Sequence, residues 1–153
     1  MASLYLAGPL FTHAERQWNQ ELATALVNAS HNVWLPQEMA GLALKTDKVN
    51  LRTIFSSTIN GLSAADFVIA IFDGPDPDSG TAFECGYAYA LNIPIIGVRT
   101  DFRRGGDDQE ANVNLMLSQG TTHMVTITGP TDHDNSSALT DKICAIIDSL
   151  LVV

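Results

Sequence analysis

Cysteine is scarce: the chain has two, Cys85 and Cys144, and neither belongs to a Cys-x-x-Cys or Cys/His cluster. That argues against a disulfide scaffold and a structural zinc site. Basic residues are scarce as well. Eight Lys and Arg face 17 Asp and Glu, for a formal net charge of −9, a balance that repels phosphate backbones and argues against nucleic-acid or anionic-membrane binding. The four histidines, His13, His31, His123 and His133, share no ligand-like spacing, so no metal site is expected from them. No run reaches the roughly 18 apolar residues of a membrane span. The start, MASLYLAGPLF, lacks the basic residues of a secretory signal and reads as the first buried strand of a cytosolic protein.

What the chain does have is apolar residues, 46% of 153, enough for one domain over residues 1–153 that buries roughly two thirds of its unfolded surface. Short apolar runs alternate with segments of helical period. Strands are expected at 3–7, 31–36, 66–72, 93–98 and 123–128. Helices are expected at 14–29, 49–64, 80–92, 110–118 and 135–151, the last capped by Asn135 or Ser136. DFVIAIF (66–72) is continuous and apolar, as in a central parallel strand buried on both faces. Five strands alternating with five helices give an α/β fold: a doubly wound, five-stranded parallel sheet of flavodoxin-like order 2-1-3-4-5 with helices on both faces.

Ligands of such sheets bind beyond the carboxyl ends of the strands. Strand 1 delivers Gly8 and Pro9 there, strand 2 delivers Gln37 and Glu38, and strand 3 delivers the loop Asp73 to Thr81. With Glu84 this loop gathers four acids, Asp73, Asp76, Asp78 and Glu84, and it has no P-loop lysine. It suits a neutral, hydroxyl-rich ligand such as a sugar better than a phosphate. Glu84 falls in the first turns of a helix from about Gly80, where the helix dipole favours the ionised carboxylate. Two readings stand: a nucleophile for an anomeric carbon, with small neighbours leaving room for a ligand, or an acid that only stabilises the helix. Tyr5 either aims Glu84 or fills the core. Gln37 and Glu38 read a base edge or start a solvated loop. Asn114, Leu115 and Met116 cap and pack a helix, and Arg99, Arg103 and Arg104 are expected on a solvated or inter-subunit face.

Three segments carry a resemblance: YLAGPLF (5–11), ADFVIAIFDG (65–74) and DSGTAFECGYAYALNIPIIG (78–97). In order and spacing the chain resembles the nucleoside 2-deoxyribosyltransferases over most of its first 120 residues. The resemblance implies base exchange on 2′-deoxynucleosides through a covalent deoxyribosyl ester of Glu84, without metal or cofactor, in nucleoside salvage. It implies that Tyr5 orients the nucleophile, that Asp78 meets the 5′-hydroxyl and that Gln37 lies on the base side. Gly8, Pro9 and Gly80 line the substrate loops. Asn114 and Met116 resemble the pair that a neighbouring subunit lends to the sugar site of a homo-oligomer. One position departs from the pattern: Thr58 stands where several members carry an Asp that protonates the leaving base. Asp73 is the substitute expected for that role.

Two rivals remain. A related hydrolase cleaves 2′-deoxynucleoside 5′-monophosphates, but Asp78 would repel the phosphate by more than about a kcal/mol in a partly buried site. A non-catalytic nucleotide-sensing module shares the fold class, although a binder gains nothing from an unpaired ionised glutamate.

Overall fold

In a computed structural model, residues 1–38, 51–107, 111–126 and 136–151 are described. Strands β1 (Ser3–Ala7), β2 (Asn32–Trp34), β3 (Phe67–Ile71), β4 (Ile95–Arg99) and β5 (His123–Thr126) form one sheet of order β2-β1-β3-β4-β5. All neighbours are parallel, with Tyr5 opposite Trp34 on one side and Val68 on the other. The chain therefore has the doubly wound order expected from its alternation.

Side chains alternate across a strand, and this alternation makes two cores. Leu4, Leu6, Ile69, Ile71, Ile96 and Val98 face one side, covered by helix α1 (His13–Asn28) and helix α5 (Ser136–Leu151). Tyr5, Ala7, Val68, Ala70 and Phe72 face the other. There they meet helix α2 (Leu51–Ser63), helix α3 (Ser79–Ala90) and the short helix α4 (Leu115–Gly120). Tyr5 is thus a polar-tipped residue among apolar ones, delivered beneath α2 and α3.

Boundaries shift where local chemistry overrules the apolar pattern. Helix α1 starts at His13 because Thr12 and Glu15 form a capping box, a Thr-x-x-Glu signal legible in the sequence. Strand β2 stops at Trp34, and residues 36–38 already turn helically. Strand β4 begins only after Pro94, which cannot donate to a ladder. The helix expected at 110–118 forms later, at Leu115–Gly120, because Asn114 caps it by accepting from the Leu117 amide at 3.1 Å. Ser136 lies within α5, while Asn135 and residues 127–128 of the expected last strand lie outside the described residues.

Gly97 in β4 lies against the second core. A Cβ there would collide with Met124 Sδ and sit 2.7 Å from Phe72 Cε2. Gly97→Ala is expected to cost about 1–3 kcal/mol of stability through overpacking, read as a lower denaturation midpoint with an unchanged slope.

Candidate active site

Tyr5 and Glu84 are 79 residues apart in sequence and meet directly. The Tyr5 hydroxyl donates to Glu84 Oε1 at 2.7 Å. Strand β1 holds the tyrosine fully buried against the sheet, and the second turn of α3 carries the glutamate over it. Thr58, on α2, lies near the same phenol and acts to lower its pKa. Burial, with the Glu84 charge beside it, pushes the Tyr5 phenol far above its ordinary range. It therefore stays a proton donor at any working pH.

Glu84 does not behave as its helix position suggested. Burial pushes its carboxyl up to about 7, opposed by the Tyr5 hydrogen bond and reinforced by the negative charge of Asp78. The dipole expected to keep it ionised acts over the first turn only, and Glu84 sits beyond that turn. Desolvation wins. Near neutral pH the group is divided between a poorly solvated carboxylate and its acid. Among the described residues, its Oε2 accepts no hydrogen bond. Its neighbour Cys85 is buried beside it, and burial pushes that thiol up to about 12, so it is no nucleophile.

Asp78 caps α3, with Oδ2 accepting from the Thr81 amide at 2.9 Å and the Thr81 hydroxyl at 3.3 Å. A Cβ on Gly80 would lie 3.0 Å from this same oxygen, so glycine leaves the capping carboxylate unobstructed. The charge of Asp78 acts on Glu84 and favours its protonated form. Asp76 is exposed. Asp73 turns toward β4: Oδ1 accepts from the amides of Thr100 at 2.5 Å and Asp101 at 2.9 Å, and the Thr100 hydroxyl donates to Oδ2. Both oxygens of Asp73 are thus taken up on the β4 side, so the structure does not bring the general acid expected there to Glu84.

Gly8 and Pro9 follow β1 as expected. A Cβ on Gly8 would press on Ile71 at 3.1 Å, and the Pro9 carbonyl accepts from Asn19 Nδ2 at 2.8 Å. Asn19, buried on α1, fixes the loop after β1; in the sequence it looks like one more polar residue in an amphipathic helix. Gln37 is held by the same helix: its Nε2 donates to the Arg16 carbonyl at 2.9 Å, and its Oε1 takes a weak bond from Asn19 at 3.4 Å. The glutamine thus packs back onto α1 with both polar ends engaged. Glu38 is exposed.

Asn114 and Met116 are not beside Glu84 in the monomer. They line a cleft of about 960 Å³ on the opposite flank of α3, walled by Ala82, Cys85, Gly86 and Tyr89 at spacings of three, four and seven. Met116 is 81% exposed. Arg99 departs from its expected place altogether. It is 1% exposed, not on a solvated face, whereas Arg103 is exposed and holds the Asp101 carboxyl well below its usual range through a 2.6 Å ion pair. Among the described residues no cluster of three His, Cys, Asp or Glu could hold a metal, and no helix is long and apolar enough to cross a membrane.

Comparison with known proteins adds a family. The model described as nucleoside 2-deoxyribosyltransferase matches residues 4–116. No curated protein matches. Among solved structures, a conserved protein from Enterococcus faecalis V583 is 27% identical, with a TM-score of 0.75 over 95% of this chain and 99% of that one. A 2-deoxyribosyltransferase from Bacillus psychrosaccharolyticus is 22% identical, with a TM-score of 0.66 over 90% of this chain and 96% of that one. A CMP N-glycosidase from Clostridium botulinum is 14% identical, with a TM-score of 0.57 over 94% and 98%. At these last two identities the likeness is one of fold.

Proposed function

The chain belongs to the nucleoside 2-deoxyribosyltransferase family, and from that premise we propose that it exchanges the base of a 2′-deoxynucleoside through an ester of Glu84. The observation that carries the reading is the partly buried Tyr5–Glu84 hydrogen bond of 2.7 Å. It orients a carboxylate whose other oxygen is left for reaction.

The ionised Glu84 attacks C1′ from the face opposite the base. The C1′–N bond breaks, its electron pair leaves with the base, and a deoxyribosyl ester forms. Poor solvation raises the carboxylate's reactivity, and the Tyr5 donor on Oε1 stabilises the carboxylate as its other oxygen is released from C1′ in the second step. An oxopurine or pyrimidinone departs as a delocalised anion and takes its proton from water, a route that requires nothing of Asp73. A second base, whose N–H proton goes to the hydroxide left when water protonated the first, then attacks C1′ from the vacated face, expels Glu84 and restores the original configuration. Asp78, with one oxygen spent on the α3 cap, has the other for the 5′-hydroxyl. A carboxylate there favours a hydroxyl over a phosphate, hence nucleosides over nucleotides. Met116, exposed, and Asn114, half-buried as the cap of α4, both line the cleft along α3; they suit residues lent to a second copy of the chain, and a homo-oligomer is part of the proposal.

The test mixes the protein with 2′-deoxyinosine, with and without adenine or cytosine, and separates the products. A new deoxynucleoside that forms only with the acceptor is expected. Free hypoxanthine released equally without acceptor would replace transfer by hydrolysis, and no reaction with any donor would favour a sensing module.

A further inference from the structure

Arg99 is a buried cation that makes no ion pair among the described residues and whose Nε has no partner. Its charge reaches the Asp101 carboxyl without a direct ion pair, and burying a guanidinium without such a pair is costly. What the guanidinium does instead is bridge two main-chain carbonyls. It donates to Phe72 O, at the end of β3, and to Arg103 O at 2.7 Å, in the loop after β4.

Asp73 makes the same connection in the opposite sense. It belongs to the β3–α3 loop and accepts from Thr100 and Asp101 at the end of β4. The two backbones also touch directly. A Cβ on Gly105 would lie 2.7 Å from the Pro75 carbonyl, and Gly74 has a φ of +99°, which L side chains rarely adopt. Two side chains and two glycines thus fasten the loop of residues 73–78 to the loop of residues 100–106. The fastened loop ends at Asp78, the cap of the helix that bears Glu84.

We propose that Asp73 and Arg99 are positioning residues: a latch that holds the β3–α3 loop so that Asp78 presents its free carboxylate oxygen to the 5′-hydroxyl of the nucleoside. This rests on the reading of Asp78 given above. The latch lies behind the loop and touches neither Glu84 nor Tyr5 by any hydrogen bond among the described residues. Loosening it lets Asp78 wander while the nucleophile stays on its buried partner. A displacement of about an ångström in a binding group costs on the order of ten- to a hundredfold.

The test uses the full chain and compares Asp73→Ala, Asp73→Asn and Arg99→Lys with the parent. For 2′-deoxyinosine, Asp73→Ala is expected to raise KM at least about tenfold while kcat stays within about threefold. For 2′,5′-dideoxyinosine, which offers no 5′-hydroxyl, KM is expected to be the same in parent and variant. Asp73→Asn keeps an oxygen for the two amides and is expected to recover most of the loss. Arg99→Lys, able to reach one carbonyl in place of two, should fall between. Hydrogen–deuterium exchange provides the second readout, with residues 72–82 and 99–107 both expected to lose protection in Asp73→Ala. Unchanged protection would overturn the latch, and so would a KM that rises equally for both nucleosides. A parent that exchanges no base would sink the reading of Asp78 instead; loss of protection in both loops would then still support the latch.

Discussion

Glu84→Gln is expected to abolish base exchange and, above neutral pH, to make the fold more stable. The amide accepts the Tyr5 hydrogen bond as the carboxylate does but cannot displace a base from C1′. Loss of a nucleophile costs on the order of 10⁴-fold or more in kcat. The stability gain follows from burial. In the folded chain Glu84 titrates near 7, above the ordinary value of 4.5, so a proton is held more tightly folded than unfolded. Below pH 4.5 the group is protonated in both states and Glu and Gln are equivalent. As pH rises toward 7 the unfolded state ionises first, and the parent loses stability until its folded carboxyl has ionised too. The total is about 3 kcal/mol. Denaturant titrations at pH 4 and pH 8 check this: near-equal midpoints at the lower pH and a more stable variant at the higher. A variant that retained exchange activity would remove Glu84 from the chemistry.

Tyr5→Phe is expected to slow the reaction about 10- to 100-fold, the kinetic equivalent of one lost hydrogen bond to a charged group. It is also expected to move the pH profile. Activity requires the carboxylate, so kcat/KM of the parent should fall as pH drops through about 7. The Tyr5 bond favours the ionised form. Without it the Glu84 carboxyl rises further, and the acid limb should shift upward by about one unit. The phenylalanine ring keeps the packing of β1 against α3, so stability at pH 4, where Glu84 is protonated, serves as the control, with a further loss expected only above neutral pH. A rate loss with an unmoved acid limb would mean that Tyr5 does not act through Glu84.

The sheet was legible because its signal is local: the continuous apolar run at 66–72 and the helical spacing of Trp18, Leu22 and Leu26 each state their own geometry. Tyr5 was legible only as a choice between aiming Glu84 and filling the core, and the structure has it buried and bonded to Glu84 at once. What failed was the direction of loop side chains. Asp73 lies within a few residues of Asp78, yet it is turned by partners 27 and 28 positions away in β4 and its loop, and no spacing within the loop encodes that. Arg99 misled by composition, since an arginine beside Arg103, Arg104 and two glycines reads as surface. It takes the Phe72 and Arg103 carbonyls, visible only in three dimensions, to explain its burial. The ionisation of Glu84 was misjudged because the helix dipole can be read from position, whereas desolvation depends on everything packed above the residue.

The central claim is a covalent bond between Glu84 and the sugar, and it can be tested directly. The protein is mixed with 2′-deoxyinosine without acceptor, quenched in acid within the first turnover, digested and analysed by peptide mass spectrometry. One added deoxyribosyl group is expected on the peptide containing Glu84, lost when adenine is supplied before the quench and absent from Glu84→Gln. A deoxyribosyl group on any other side chain, or steady turnover with no modified peptide at any time, would contradict it.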